Sequence, residues 1–192
     1  MSHGVEVELP HDAHDPFVKR IALAVAIYAV ILAVAGAGGK HASKDMISEQ
    51  ILASNTWARY QAKVIREAIY TSDLEKYQFE RERGGLTPEA EAGLAKSSER
   101  VRGKIEQYRK EKEELTNEAE GHQKARDAAH RRDVYFDYAE LFLQIAIVLA
   151  SVAMLAKARW AFFTSVALVA VGILLTANGY TLALHIGFLE GH

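Results

Sequence analysis

The sequence predicts an all-α integral membrane protein with three transmembrane helices and a long antiparallel helical (coiled-coil) hairpin between the first and the second. Three observations lead there. Uncharged runs long enough to cross a hydrocarbon core of about 30 Å stand near both ends of the chain. Between them lies a middle dense in Lys, Arg and Glu, interrupted at Gly84 and Gly85. Within that middle, apolar residues recur at helical and heptad spacing.

Residues 1–16 are polar and rich in His and Asp, and Pro10 and Pro16 discourage a continuous helix, so they read as an N-terminal tail. Lys19 and Arg20 precede an uncharged stretch from Ile21 to Gly39, about 28 Å as a helix, which assigns 17–39 to transmembrane helix 1. A cleaved signal peptide begins at the extreme N-terminus and has a shorter apolar region; this stretch starts too late and runs too long.

Residues 40–134 form the extramembrane hairpin. Lys40 to Arg83 contains no proline and sets Ile47, Ile51, Ala58, Ala62, Ile65 and Ile69 at steps of three, four and seven, as one long helix requires. Gly84 and Gly85 end it. Thr87 supplies an N-cap for the return helix, Pro88 suits its first turn, and Glu89 meets the positive end of its dipole. Along the helix that starts at Pro88, Leu94, Val101, Tyr108, Leu115, His122, Ala129 and Phe136 recur every seven residues, with Ile105 and Ala119 four after two of them. The two arms, 40–83 and 88–134, are each roughly 65 to 70 Å long, so the chain returns from the tip at 84–87 to the membrane it left.

Arg131 and Arg132 mark re-entry, Tyr135 and Tyr138 suit an interfacial position, and Leu141 to Ala156 is uncharged, giving transmembrane helix 2 at 135–156. After the tight turn Lys157, Ala158, Arg159, an uncharged run from Trp160 gives an antiparallel transmembrane helix 3 at 160–184 and a tail at 185–192. Lys19, Arg20, Lys157 and Arg159 lie on the face opposite the hairpin. Short-loop charges set topology, which favours a cytoplasmic N-terminus and a periplasmic hairpin; the basic residues crowding the hairpin's base argue the other way.

The net charge of -2 lacks the basic balance of a dedicated nucleic-acid binder. The absence of cysteine excludes disulfides, thiolate metal sites and cysteine nucleophiles. No P-loop, dinucleotide turn, HExxH or GxSxG is present, and no catalytic constellation is expected.

Asp15, Pro16, Phe17, Lys19 and Arg20 before the first span, together with SNTWARYQAKVIR from Ser54 to Arg66, resemble an uncharacterised bacterial inner-membrane family. That family is a domain of unknown function with the same order of one span, a charged helical hairpin and two closing spans. The resemblance implies architecture and a bacterial origin, and lends no catalytic residue, cofactor or substrate.

In the Ser54–Arg66 segment, Trp57, Tyr60 and Gln61 at helical spacing, with Arg59, Lys63 and Arg66, form a candidate partner-binding patch; the alternative is packing of Trp57 and Gln61 against the second arm. Asp137, Glu140, Gln144 and Ser151 form one intramembrane stripe, and Asn178, Thr181 and His185 another. Folding about the 157–159 turn brings Glu140 to the depth of Thr176 and Asn178. These stripes serve either as interhelical glue or as an ion or proton pathway. Gly36, Gly38, Gly39 and Gly172 offer surfaces for close helix approach or oligomerisation. His11, Asp12, His14 and Asp15 lack the fixed geometry of a metal site.

The resulting expectation is a non-enzymatic multi-pass protein of the bacterial inner membrane, without cofactor. It acts as a scaffold, accessory subunit or oligomeric interaction module, with lipid and a second copy or membrane-complex protein as partners. The alternatives are a small oligomeric channel built on the polar stripes and a helical membrane sensor.

Overall fold

The computed structural model describes residues 15–184. They form three helices, α1 (Pro16–Arg83), α2 (Pro88–Ala156) and α3 (Arg159–Thr181), and no strand occurs among the described residues. Each helix holds a stretch long and apolar enough to cross a membrane. His11, Asp12, His14 and His185 lie outside the described residues.

Both long helices begin in the same way. Asp15 Oδ1 accepts from the Phe17 N–H at 2.8 Å and Thr87 Oγ1 from the Ala90 N–H at 3.3 Å, while Pro16 and Pro88 occupy the first helical positions. No other proline occurs between Phe17 and Ala156, so no proline interrupts either helix between its apolar and its charged part. Gly84 and Gly85 separate α1 from α2 with φ of 72° and 83°, a region costly for any residue with a Cβ.

The third helix ends three residues before the expected 184. Leu182 takes φ 49° and its N–H bonds to the Asn178 carbonyl at 2.7 Å. The Asn178 side chain then holds Leu184 from both sides, donating Nδ2 to its carbonyl at 2.9 Å and accepting its N–H at 2.8 Å. A helical Leu184 could not make that pair.

The helices contribute to two compact units, one built from residues up to Asp45 and from Ala128 onward, the other from Met46–Asp127. In the first, α2 buries Ala139, Leu143, Ala146, Ala150 and Ala153 at alternating steps of four and three, against Ile21, Tyr28 and Ala35 of α1 and Ala161, Val169 and Leu175 of α3. The buried face of α2 is mostly alanine, while Leu23, Val30, Val148, Phe163 and Leu174 are all more than 60% exposed. Close backbone approach inside and bulk outside suits association in lipid, where packing and not water drives helices together.

In the second unit, the partners across the helix pair are Glu49 with His122, Thr56 with Glu118, Lys63 with Glu111, Glu67 with Arg109, and Arg81 with Glu91. Rising numbers on α1 meet falling numbers on α2, so the two segments run antiparallel. On α2, Val101, Ile105, Tyr108, Leu115 and Ala119 are buried, as their spacing predicts.

Candidate functional site

The face that α1 turns toward α2 in the second unit is polar. Glu49, Ala53, Thr56, Tyr60, Lys63, Glu67, Tyr70, Leu74 and Tyr77 alternate by four and three and are buried or half-buried. Glu67, with its side chain 15% exposed, is held by Lys112 and by Arg109 Nε at 3.0 Å. Hydrogen bonds first from Lys112 and then from Arg109 keep its carboxyl below the ordinary range. Glu111 is lowered in the same way by Lys63, at 2.5 Å, and then by Gln107. Lys63 Nζ also stands 5.3 Å over the Tyr108 ring, which stacks on Tyr70 at 5.7 Å. His122 Nδ1 lies 2.6 Å from Glu49 Oε2. A slip of one residue would part every one of these pairs, so the seam specifies its own register.

The six residues of the Ser54–Arg66 segment do not share one face. Tyr60 and Lys63 turn to the seam, and Arg59 reaches Glu118 at 3.3 Å from its edge. Trp57 is half-buried with its ring edge-on to Tyr60 at 5.4 Å, whereas Gln61 and Arg66 are exposed. The apolar residues Ile47, Ile51, Ala58, Ala62, Ile65 and Ile69 are exposed as well, on the side of α1 opposite α2.

In the first unit the focal side chain is Phe136, which is 1% exposed. A Cβ at Gly38 of α1 would stand 2.5 Å from its ring, and one at Gly179 of α3 would stand 2.9 Å from it. The ring therefore fills a niche that two glycines leave, with Tyr180 edge-on at 4.9 Å. Glu140 lies one turn further on against Gly36 and Gly39, and Gly172 makes room for Leu143 in the same fashion. The expected close-approach glycines are thus used within one chain.

The polar stripes do not meet as expected. Thr176 and Asn178 are buried, but Thr176 Oγ1 donates to Gly172 O of its own helix and Asn178 holds Leu184. Ser151 donates to Ile147 O and Thr181 to Ala177 O, again within their helices. Gln144, Thr181 and Asp137 are exposed and Glu140 is half-buried. The contacts between elements come from residues that polarity alone did not single out: Ser43 Oγ donates to Asp133 at 2.6 Å and Tyr135 OH to Leu184 O at 3.0 Å. Beside Phe136 a shallow cleft of about 220 Å3 is lined by Gly38, His41, Ala42, Asp45, Arg132, Phe136, Gly179 and Tyr180. The signal for its α1 wall was the helical spacing of 38, 41, 42 and 45. Among the described residues no group of three or more His, Cys, Asp or Glu side chains is placed to hold a metal ion.

No curated protein and no solved structure matches the chain. One family does, over residues 17–182, from the start of α1 to the residue after α3. The chain therefore belongs to the family described as Domain of unknown function (DUF4337).

Proposed function

We propose that this is a non-enzymatic, multi-pass protein of the bacterial inner membrane, whose three helices anchor it through the first unit while the second unit, a coiled-coil hairpin, serves as a scaffold or interaction module. The observation that carries the reading is the division of chemistry between the units. The first lines the buried face of α2 largely with alanine and turns many large apolar residues outward, an arrangement lipid favours. Between Met46 and Ser72 the second unit pairs four of its five α1 charges with α2 and leaves an uncharged face of α1 exposed. A chain spending its polar groups on register, and not on a pocket with convergent reactive groups, suits holding and spacing better than catalysis.

Purification in mild detergent followed by light-scattering mass measurement tests it. The reading predicts assemblies heavier than one 21.3 kDa chain. A lone monomer across detergents and concentrations, with no co-purifying membrane protein, counts against it.

One observation favours a second reading, an oligomeric channel or transport subunit. Gln144 is exposed near the middle of the apolar part of α2, where lipid would leave its amide without partners, so a pore or a neighbouring copy would satisfy it. Flux through reconstituted protein that Gln144→Leu abolishes would establish the channel; no flux from the unaltered protein disposes of it.

A further inference from the structure

Between Met46 and Ser72 the charged residues of α1 are Glu49, Arg59, Lys63, Arg66 and Glu67. Four of them pair with His122, Glu118, Glu111, and Arg109 with Lys112 on α2. Arg66 stands at the edge of what remains. The opposite side of the helix is left with Ile47, Ile51, Ala58, Ala62, Ile65 and Ile69, and the isoleucines are exposed by 55 to 61%. A helix face meant for water carries its charges outward. Here Glu49, Lys63 and Glu67 are turned inward and Arg59 reaches α2 from the edge, while α2 carries a charge at roughly half of its positions over the matching stretch.

We infer that this strip is the contact between two copies of the chain, with α1 of one protomer packed along α1 of its partner, parallel and in register. The inference rests on the membrane reading above and names the partner that reading leaves open. Three arguments select a second copy. First, the strip has no charge for a partner of opposite sign to match, and against itself it meets no like-charge repulsion. Second, from Ile47 to Ile69 it is about 33 Å long and about 10 Å wide, roughly 330 Å2. That is well short of the about 800 Å2 per side that holds an independent partner from solution. A copy confined to the same bilayer is already concentrated beside it, and a small contact then suffices. Third, Ile47 follows the end of the first apolar stretch by only eight residues, so two copies inserted the same way into one membrane enter the strip from the same end. Like residues then meet in layers, with Ile51 on Ile51 and Ile65 on Ile65, and Ala58 between them allows close approach.

The test uses full-length protein in native membranes, where the cysteine-free sequence gives a clean background. Single cysteines at Ile51, Ala58, Ile65 and, as a control on the exposed charged face of α2, Lys110 are treated with a short bifunctional thiol reagent. The inference predicts that dimer is the main product at the first three positions and is absent at Lys110→Cys. Adding Ile51→Glu and Ile65→Glu to Ala58→Cys should reduce dimer at least tenfold, and both sites are exposed, so the single chain still folds. Dimer forming only between mixed Ile47→Cys and Ile69→Cys copies overturns the parallel register, and no dimer at any strip position overturns the contact. Carbonate washing of the same membranes separates the two readings. Retained but uncrosslinked protein refutes the dimer contact alone, whereas protein released into the wash refutes the membrane anchor and the parallel dimer with it.

Discussion

Replacing Gly38 with alanine places a methyl group 2.5 Å from Phe136 Cε1 and 2.6 Å from its Cζ, inside any real carbon contact. A flexible side chain would swing clear, but this ring has no exit. The same ring atoms already lie 2.9 to 3.2 Å from where a Cβ at Gly179 would stand, and the ring is 1% exposed. Strain of about 1–3 kcal/mol is the usual result of forcing a methyl group into a filled core. Alanine also gains about 1 kcal/mol of helix propensity over glycine, which partly masks that strain. Gly36→Ala supplies the correction, because it lies in the same helix and its Cβ meets only the mobile end of Glu140 at 3.2 Å. The difference between the two variants, measured by denaturant titration in mixed micelles with circular dichroism, should be about 1–3 kcal/mol against Gly38→Ala. Phe136→Leu in the Gly38→Ala background should recover part of it, as coupled neighbours do. Equal stabilities for Gly36→Ala and Gly38→Ala, or strict additivity with Phe136→Leu, would refute the wedged ring.

Three further outcomes are expected. Glu67 and Glu111 titrate below the ordinary 4.5 when folded, so their contribution to stability is complete above that value and is lost as pH falls through the lowered folded pKa. Unfolding titrations from pH 7 to pH 3 should be flat to about pH 5 and then fall, with a shallower fall in Glu67→Gln. Asn178→Leu removes both bonds to Leu184 and should cost about 1–3 kcal/mol, with faster amide exchange at Leu184 than in the parent. Thr87→Ala removes the cap on Ala90 and should cost about 1 kcal/mol, read as earlier melting of the Met46–Asp127 unit.

The element ends and the α2 core were legible in the sequence, because their signals are local. Thr87, Pro88 and the glycine pair mark the boundary between α1 and α2 through capping and φ, and Val101, Tyr108 and Leu115 announce a buried face by being apolar at seven-residue spacing. The inward face of α1 was not legible. Hydrophobic periodicity picks out Ile47, Ile51, Ile65 and Ile69, yet these are exposed, and Glu49, Thr56, Lys63 and Glu67 face α2 because partners on α2 satisfy them. Only pairing across the two helices reveals that, and pairing is not a property of either segment alone. Gly179 was hidden for a related reason: it stands between Asn178 and Tyr180 in a run read for polarity, while its role is the space it leaves for a ring 43 positions earlier in the chain. The hydroxyls of Ser151, Thr176 and Thr181 bond to carbonyls four residues back, a local option that helical wheels do not show.

If the three helices cross one membrane, the Gly84–Gly85 tip and the Lys157–Ala158 turn stand on opposite sides of it. Single cysteines at Gly85 and at Ala158, probed in intact cells with a membrane-impermeant thiol reagent, test it most directly, with permeabilised cells as the control. The account predicts labelling at Gly85 alone until the membrane is opened, when Ala158 labels too. Labelling at Ala158 alone would reverse the orientation, and equal labelling of both positions in intact cells would contradict the membrane-spanning architecture itself.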